Sequence, residues 1–144
     1  MIEKDTVRLL RECDAGIKMG ISSIDDVFDN VKNQTFKKQL KDSKSAHEKL
    51  GTEIRGMLAN YSDTGKDPNP MAKGMSWIKT NAKMMMDESD QTVADLITDG
   101  WNMGVKSLSK YLNQYKAADE KSKDITKRLI TVESDLARDI RGYL

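Results

Sequence analysis

Few side chains in this sequence offer chemistry. It holds one histidine, His47, and one cysteine, Cys13. Glu133 stands 86 residues after His47, at the matching place in the last periodic segment. An imidazole and a carboxylate brought together can hold a metal ion or pass a proton. They can equally form a buried pair that satisfies itself by hydrogen bonding. A sole histidine cannot build a His-rich site, so the second reading carries more weight. Cys13 falls in an apolar stripe with no histidine at its level. It reads as a buried, inert thiol and not as a nucleophile. No Gly-x-Ser-x-Gly, P-loop, dinucleotide fingerprint or Cys-x-x-Cys occurs. No catalytic residue and no cofactor are expected, and the chain is read as a non-enzyme.

Two further features ask for an explanation. Gly16-Ile17-Lys18-Met19-Gly20-Ile21-Ser22-Ser23-Ile24 reappears as Gly100-Trp101-Asn102-Met103-Gly104-Val105-Lys106-Ser107-Leu108. A glycine inside a helix costs about 1 kcal/mol relative to alanine. Gly16, Gly20, Gly100 and Gly104 are therefore expected where two helices approach closely at a crossing. The alternative is that the missing side chains leave room for a ligand. The second feature is the apolar set Met71, Met75, Trp77, Ile78, Met84, Met85 and Met86. Thioethers can bind Cu(I), but Met-rich surfaces more commonly fill a core or meet a protein. Three consecutive methionines cannot share one helical face. One of them points away from the body of the protein unless something covers it. This is the main reason to expect a homodimer or a protein partner.

The elements that must position these residues are helices. Apolar or small residues at Leu10, Cys13, Ile17, Gly20, Ile24, Val27 and Val31 predict a helix over 2–31. A polar break at Asn30 to Gln34 precedes a second helix over 35–61, with the stripe Phe36, Leu40, Ser43, His47, Leu50, Ile54 and Leu58. The only two prolines, Pro68 and Pro70, stop it. A short helix over 70–86 is expected next. A fourth helix follows over 88–116, its stripe running through Val93, Leu96, Gly100, Met103 with Gly104, Leu108, Tyr111 and Tyr115. The last helix, over 119–143, carries Ile125, Leu129, Val132, Leu136 and Ile140. A shift of 84 residues aligns the first and fourth helices, and a shift of 86 aligns the second with the last.

Bulk properties bound the rest. A chain of 144 residues suits one domain, 1–144, able to bury a core without disulfides or metals. The 24 basic and 23 acidic residues leave a formal charge of +1, which gives no reason to expect nucleic acid. One cysteine excludes an internal disulfide and fits a reducing compartment. No 18-residue apolar run and no apolar leader segment occur, so a cytoplasmic protein without a membrane span is expected.

Two helical hairpins joined by a long connection, with Gly74-Met75-Ser76-Trp77 in a short extra helix, resemble the ferritin-like superfamily of four-helix bundles, in particular a bacterial branch of it. The resemblance implies an all-α fold of two pseudo-symmetric hairpins with a crossover between them. In metal-binding members two helices each supply a Glu and the other two each a Glu-x-x-His. Here the second helix reads Lys44-Ser45-Ala46-His47, with Lys in place of Glu. On the last helix Glu133 stands at the His position and Ile130 at the Glu position. At that depth the first and fourth helices offer Gly16, Met19, Gly20, Gly100, Met103 and Gly104. The di-metal ligand set is not retained. Glu12, Asp14, Glu48 and Asp99 flank the stripes and would have to turn inward to restore it. Two functional readings follow. One is a non-catalytic bundle that acts by protein–protein association or self-association. The other is a degenerate metalloprotein that binds or oxidises iron.

Overall fold

Side-chain caps open three of the four long helices. Asn33 accepts the Phe36 N–H at 3.0 Å, Ser89 the Thr92 N–H at 3.2 Å, and Asp119 the Ser122 N–H at 2.8 Å. Each supplies an acceptor to a first-turn N–H that has no partner within its own helix. In the computed structural model, which describes residues 2–66 and 89–144, the helices are α1 (Ile2–Phe28), α2 (Gln34–Ala59), α3 (Asp90–Gln114) and α4 (Glu120–Asp139). A 3-10 turn, Arg141–Tyr143, follows α4. No strand occurs among the described residues, and no helix there is long and apolar enough to cross a membrane. The expected helix over 70–86, with its methionines and Trp77, lies outside the described residues.

Side chains on one hairpin hold the turn of the other. Thr6 and Asp5 near the start of α1 accept the N–H groups of Asp119 (2.8 Å) and Ala117 (3.1 Å) in the α3–α4 turn. Asp90 at the start of α3 accepts those of Lys32 (2.8 Å) and Asn33 (2.9 Å) in the α1–α2 turn. These bonds run α1 antiparallel to α3. The rings of Phe36 on α2 and Tyr143 after α4 stack at 4.5 Å, which brings the start of α2 to the end of α4. Lys66, beyond α2, lies beside Glu12 and Asp14 midway along α1. Asp90, at the start of α3, holds the turn that leads into α2, so α2 and α3 start at the same end and run in the same direction. The result is a helical bundle in which α1 packs on α2 and α3, and α4 on α3 and α2.

The core divides into two apolar clusters along the bundle axis. One gathers Ile24, Val27, Phe36, Leu40, Val93, Ile97, Trp101, Leu136 and Ile140. The other gathers Leu10, Cys13, Ile17, Leu50, Ile54, Leu58, Leu108, Ile125 and Leu129. Most of the expected stripe residues on α1, α2 and α4 are among them. On α3 the phase differs from the expectation. Met103, placed in the stripe, is 66 % exposed, and Trp101 is buried with 4 % exposed. The inward row therefore steps Ile97, Trp101, Gly104 and Leu108, which is a regular 3.6-residue path. Glycine has no hydropathy to mark its face, so Gly100 and Gly104 fit either phase until the indole decides between them.

Candidate functional site

Between the two apolar clusters lies a layer that is polar and buried. Ser43 and His47, one turn apart on α2, supply one side of it. His47 has no exposed surface. Its Nδ1 lies 2.8 Å from the Ser43 carbonyl oxygen. A carbonyl only accepts, so Nδ1 carries a proton and donates it. That fixes the imidazole by its own helix and turns Nε2 toward α4. There the Glu133 carboxylate stands with Oε1 3.8 Å from Nε2. This is ion-pair separation and too long for a hydrogen bond. Neither His47 Nε2 nor Glu133 Oε2 hydrogen-bonds to any described residue, and the same holds for Trp101 Nε1. The Trp101 ring sits 5.6 Å from the imidazole, tilted by 56°. Burial pushes the Glu133 carboxyl above its ordinary range, against the opposing pull of His47.

The second glycine of each repeat makes room for this layer. A Cβ on Gly20 would stand 3.1 Å from both Cδ2 and Nε2 of His47 and 3.7 Å from the Trp101 ring. A Cβ on Gly104 would stand 2.5 Å from Glu133 Oε2. Each glycine thus faces the polar side chain of its own hairpin, and that side chain fills the space. Gly16 differs. A Cβ there would meet no described residue within 4 Å, so no crossing among the four described helices explains it. Gly100 is half-buried. The apolar set from Met71 to Met86 lies outside the described residues.

The carboxylates named as possible inward ligands go elsewhere. Glu48 and Asp99 are exposed, and Glu12 pairs with Lys66. Asp14 is fully buried, a position that its place beside the stripe did not suggest. It turns away from the layer and pairs with Lys18 Nζ at 2.8 Å and Arg55 Nη1 at 3.8 Å, and it accepts the Lys66 N–H at 3.0 Å. The one sequence signal for this was Lys18 four residues on, within reach on a helix. No group of three or more His, Cys, Asp or Glu side chains comes together among the described residues. A ferritin-type di-metal centre needs about six such ligands, and the layer offers His47 and Glu133. The residues present do not fit that group.

Cys13 belongs to the apolar cluster of Leu10, Ile17 and Ile54 and is fully buried. Thr126 Oγ1 donates to the Ser122 carbonyl at 2.7 Å, so at 3.2 Å it accepts from the Cys13 thiol. Burial pushes that thiol up to about 12, which keeps it neutral and unreactive. No protein-family model, curated protein or solved structure matches the chain.

Proposed function

We propose that the chain is a ferritin-like four-helix bundle without enzymatic activity, and that it works by associating with a second copy of itself or with another protein. The observation that carries this reading is the bundle centre. Where a ferritin-type oxidase would gather carboxylates, two of the four helices present glycine, and the other two present one imidazole and one carboxylate. Support for two related hairpins comes from contacts that recur at the offsets of the sequence repeat. Asp90 follows Thr6 by 84 residues and Asp119 follows Asn33 by 86, and each pair joins a helix start to the opposite turn. Gly20 with His47 and Gly104 with Glu133 repeat at the same offsets. A cytoplasmic setting belongs to the same reading, since Cys13 is free and buried. The outward Met103 on α3 adds an apolar contact point to the methionines of the crossover sequence.

Sedimentation velocity across the micromolar range, with affinity capture from cell extract, tests the reading. A reversible dimer, or one partner captured stoichiometrically, is expected. A strict monomer that captures nothing overturns it. The metalloprotein reading is kept because His47 Nε2 and Glu133 Oε2 have no hydrogen-bond partner among the described residues. Anaerobic Fe(II) titration of chelator-stripped protein decides it. Stoichiometric binding would replace the association reading, and no binding at micromolar iron removes the storage and oxidase functions.

A further inference from the structure

His47 and Glu133 belong to different hairpins, so their contact crosses the interface that holds the two hairpins together. Nδ1 of His47 keeps its proton on the Ser43 carbonyl. A neutral imidazole must then aim the Nε2 lone pair at the carboxylate across 3.8 Å. Two acceptors facing each other in a buried layer repel, and an isolated buried carboxylate is costly. One proton on either group removes both problems. It makes an imidazolium against a carboxylate, or an imidazole against a carboxylic acid, with the same proton count and the same net charge. We propose that the central layer is a one-proton site, in which His47 and Glu133 together hold a single proton whose loss loosens the contact between the hairpins.

The surroundings leave this proton with the pair. From α1 the layer receives Gly20, and the Cys13 thiol further along stays neutral. From α3 it receives Trp101 and Gly104. On α2, Lys44 turns outward to Asp25 and Glu48. Among the described residues His47 is the one charged side chain that acts on Glu133, and burial sets the upward direction. The fit of Gly104 against the carboxylate, and of Gly20 against the imidazole, leaves the two groups facing each other.

In the unfolded chain the carboxyl titrates near about 4.3 and the imidazole near about 6.5. Between those values both states carry one proton on the two groups, and the pair adds no pH dependence. Above about 6.5 the unfolded chain drops its proton while the folded pair keeps one. The unfolding constant then rises about tenfold per pH unit until the pair itself ionises. Below about 4.3 the unfolded chain takes up a second proton, and stability falls again.

Urea unfolding of the full chain, wild type against Glu133→Gln, between about pH 6 and 8.5 reads this difference. The wild type is expected to lose stability relative to the variant by about tenfold in the unfolding constant per pH unit above about 6.5. Parallel profiles overturn the proposal. If the variant does not fold, NMR on the wild type supplies the answer, because its sole histidine gives one pair of ring ¹⁵N signals. A protonated Nδ1 with one proton shared between Nε2 and the Glu133 carboxyl at neutral pH is expected. A bare Nε2 beside a fully ionised carboxylate overturns it. Wild type and variant are compared at one protein concentration, so a contribution of self-association is common to both, and the ring ¹⁵N signals report the pair directly.

Discussion

Gly104 and Glu133 fit each other so closely that a Cβ on the glycine would stand 2.5 Å from Oε2. A Cβ on Gly16, the first glycine of the other repeat, would meet no described residue within 4 Å. The two therefore separate the intrinsic cost of a helical glycine from its role in packing. Gly16→Ala is expected to stabilise the fold by about 0.5–1 kcal/mol through helix propensity alone. Gly104→Ala gains the same term, but it pushes the carboxylate off His47 in a packed layer. Overpacking of this kind costs about 1–3 kcal/mol, so a net loss is expected. Urea midpoints at one pH measure both. Equal shifts would mean that the carboxylate moves aside freely.

His47 and Glu133 are expected to behave as a unit. His47→Leu leaves a buried carboxyl without its partner, and Glu133→Leu leaves the same for Nε2. Each single change is expected to cost about 1–3 kcal/mol. The double change replaces both polar groups with apolar ones and is expected to recover most of the loss. A double-mutant cycle should then show a coupling above about 1 kcal/mol. Additive costs would mean that the groups are neighbours without interaction.

The turn contacts predict a local effect of a different kind. Asp90 accepts two backbone N–H groups from the α1–α2 turn. These groups are near solvent and can recover water. Asp90→Ala is therefore expected to cost about 1 kcal/mol, with faster amide exchange at Lys32 and Asn33. Asp124 is the control. It is exposed and, among the described residues, pairs with Arg128 alone at 3.3 Å, so Asp124→Ala should stay within about 0.5 kcal/mol of wild type. Similar losses at both sites would deny the turn contacts any special role.

How much of this was legible depends on what each side chain reveals about its facing. Leu40, Ile54, Leu129 and Leu136 mark their own face, and their spacing carries α2 and α4 directly. His47 and Glu133 interrupt those stripes in phase, which is why the sequence brings them to the same depth. The α3 phase was lost because Gly100 and Met103 mimic a stripe, while the buried residue is Trp101. The partners of Gly20 and Gly104 were also hidden. A missing side chain says that something comes close, but not whether it is a neighbouring backbone, an imidazole or a carboxylate. Asp14 shows the converse. Its charge places it outside on pattern alone, and only the convergence of Lys18, Arg55 and the Lys66 N–H makes its burial affordable.

Cys13 gives the last prediction and joins packing to kinetics. Its thiol is fully buried, donates to Thr126, and is held up to about 12. The unfolded thiol ionises near about 8.5. The stability this proton confers is present below that value and lost as pH rises toward 12, at up to a factor of about ten in the unfolding constant per unit. Near pH 8 the native thiol is neither ionised nor accessible. A disulfide reagent can reach it only through opening of the apolar cluster that Cys13 shares with Ile17, Ile54 and Leu129. The labelling rate is therefore expected to rise with urea in step with the unfolding constant. Mass spectrometry of timed reactions follows it directly. Fast labelling without denaturant would place the thiol at the surface and contradict the packing of α1 against α4.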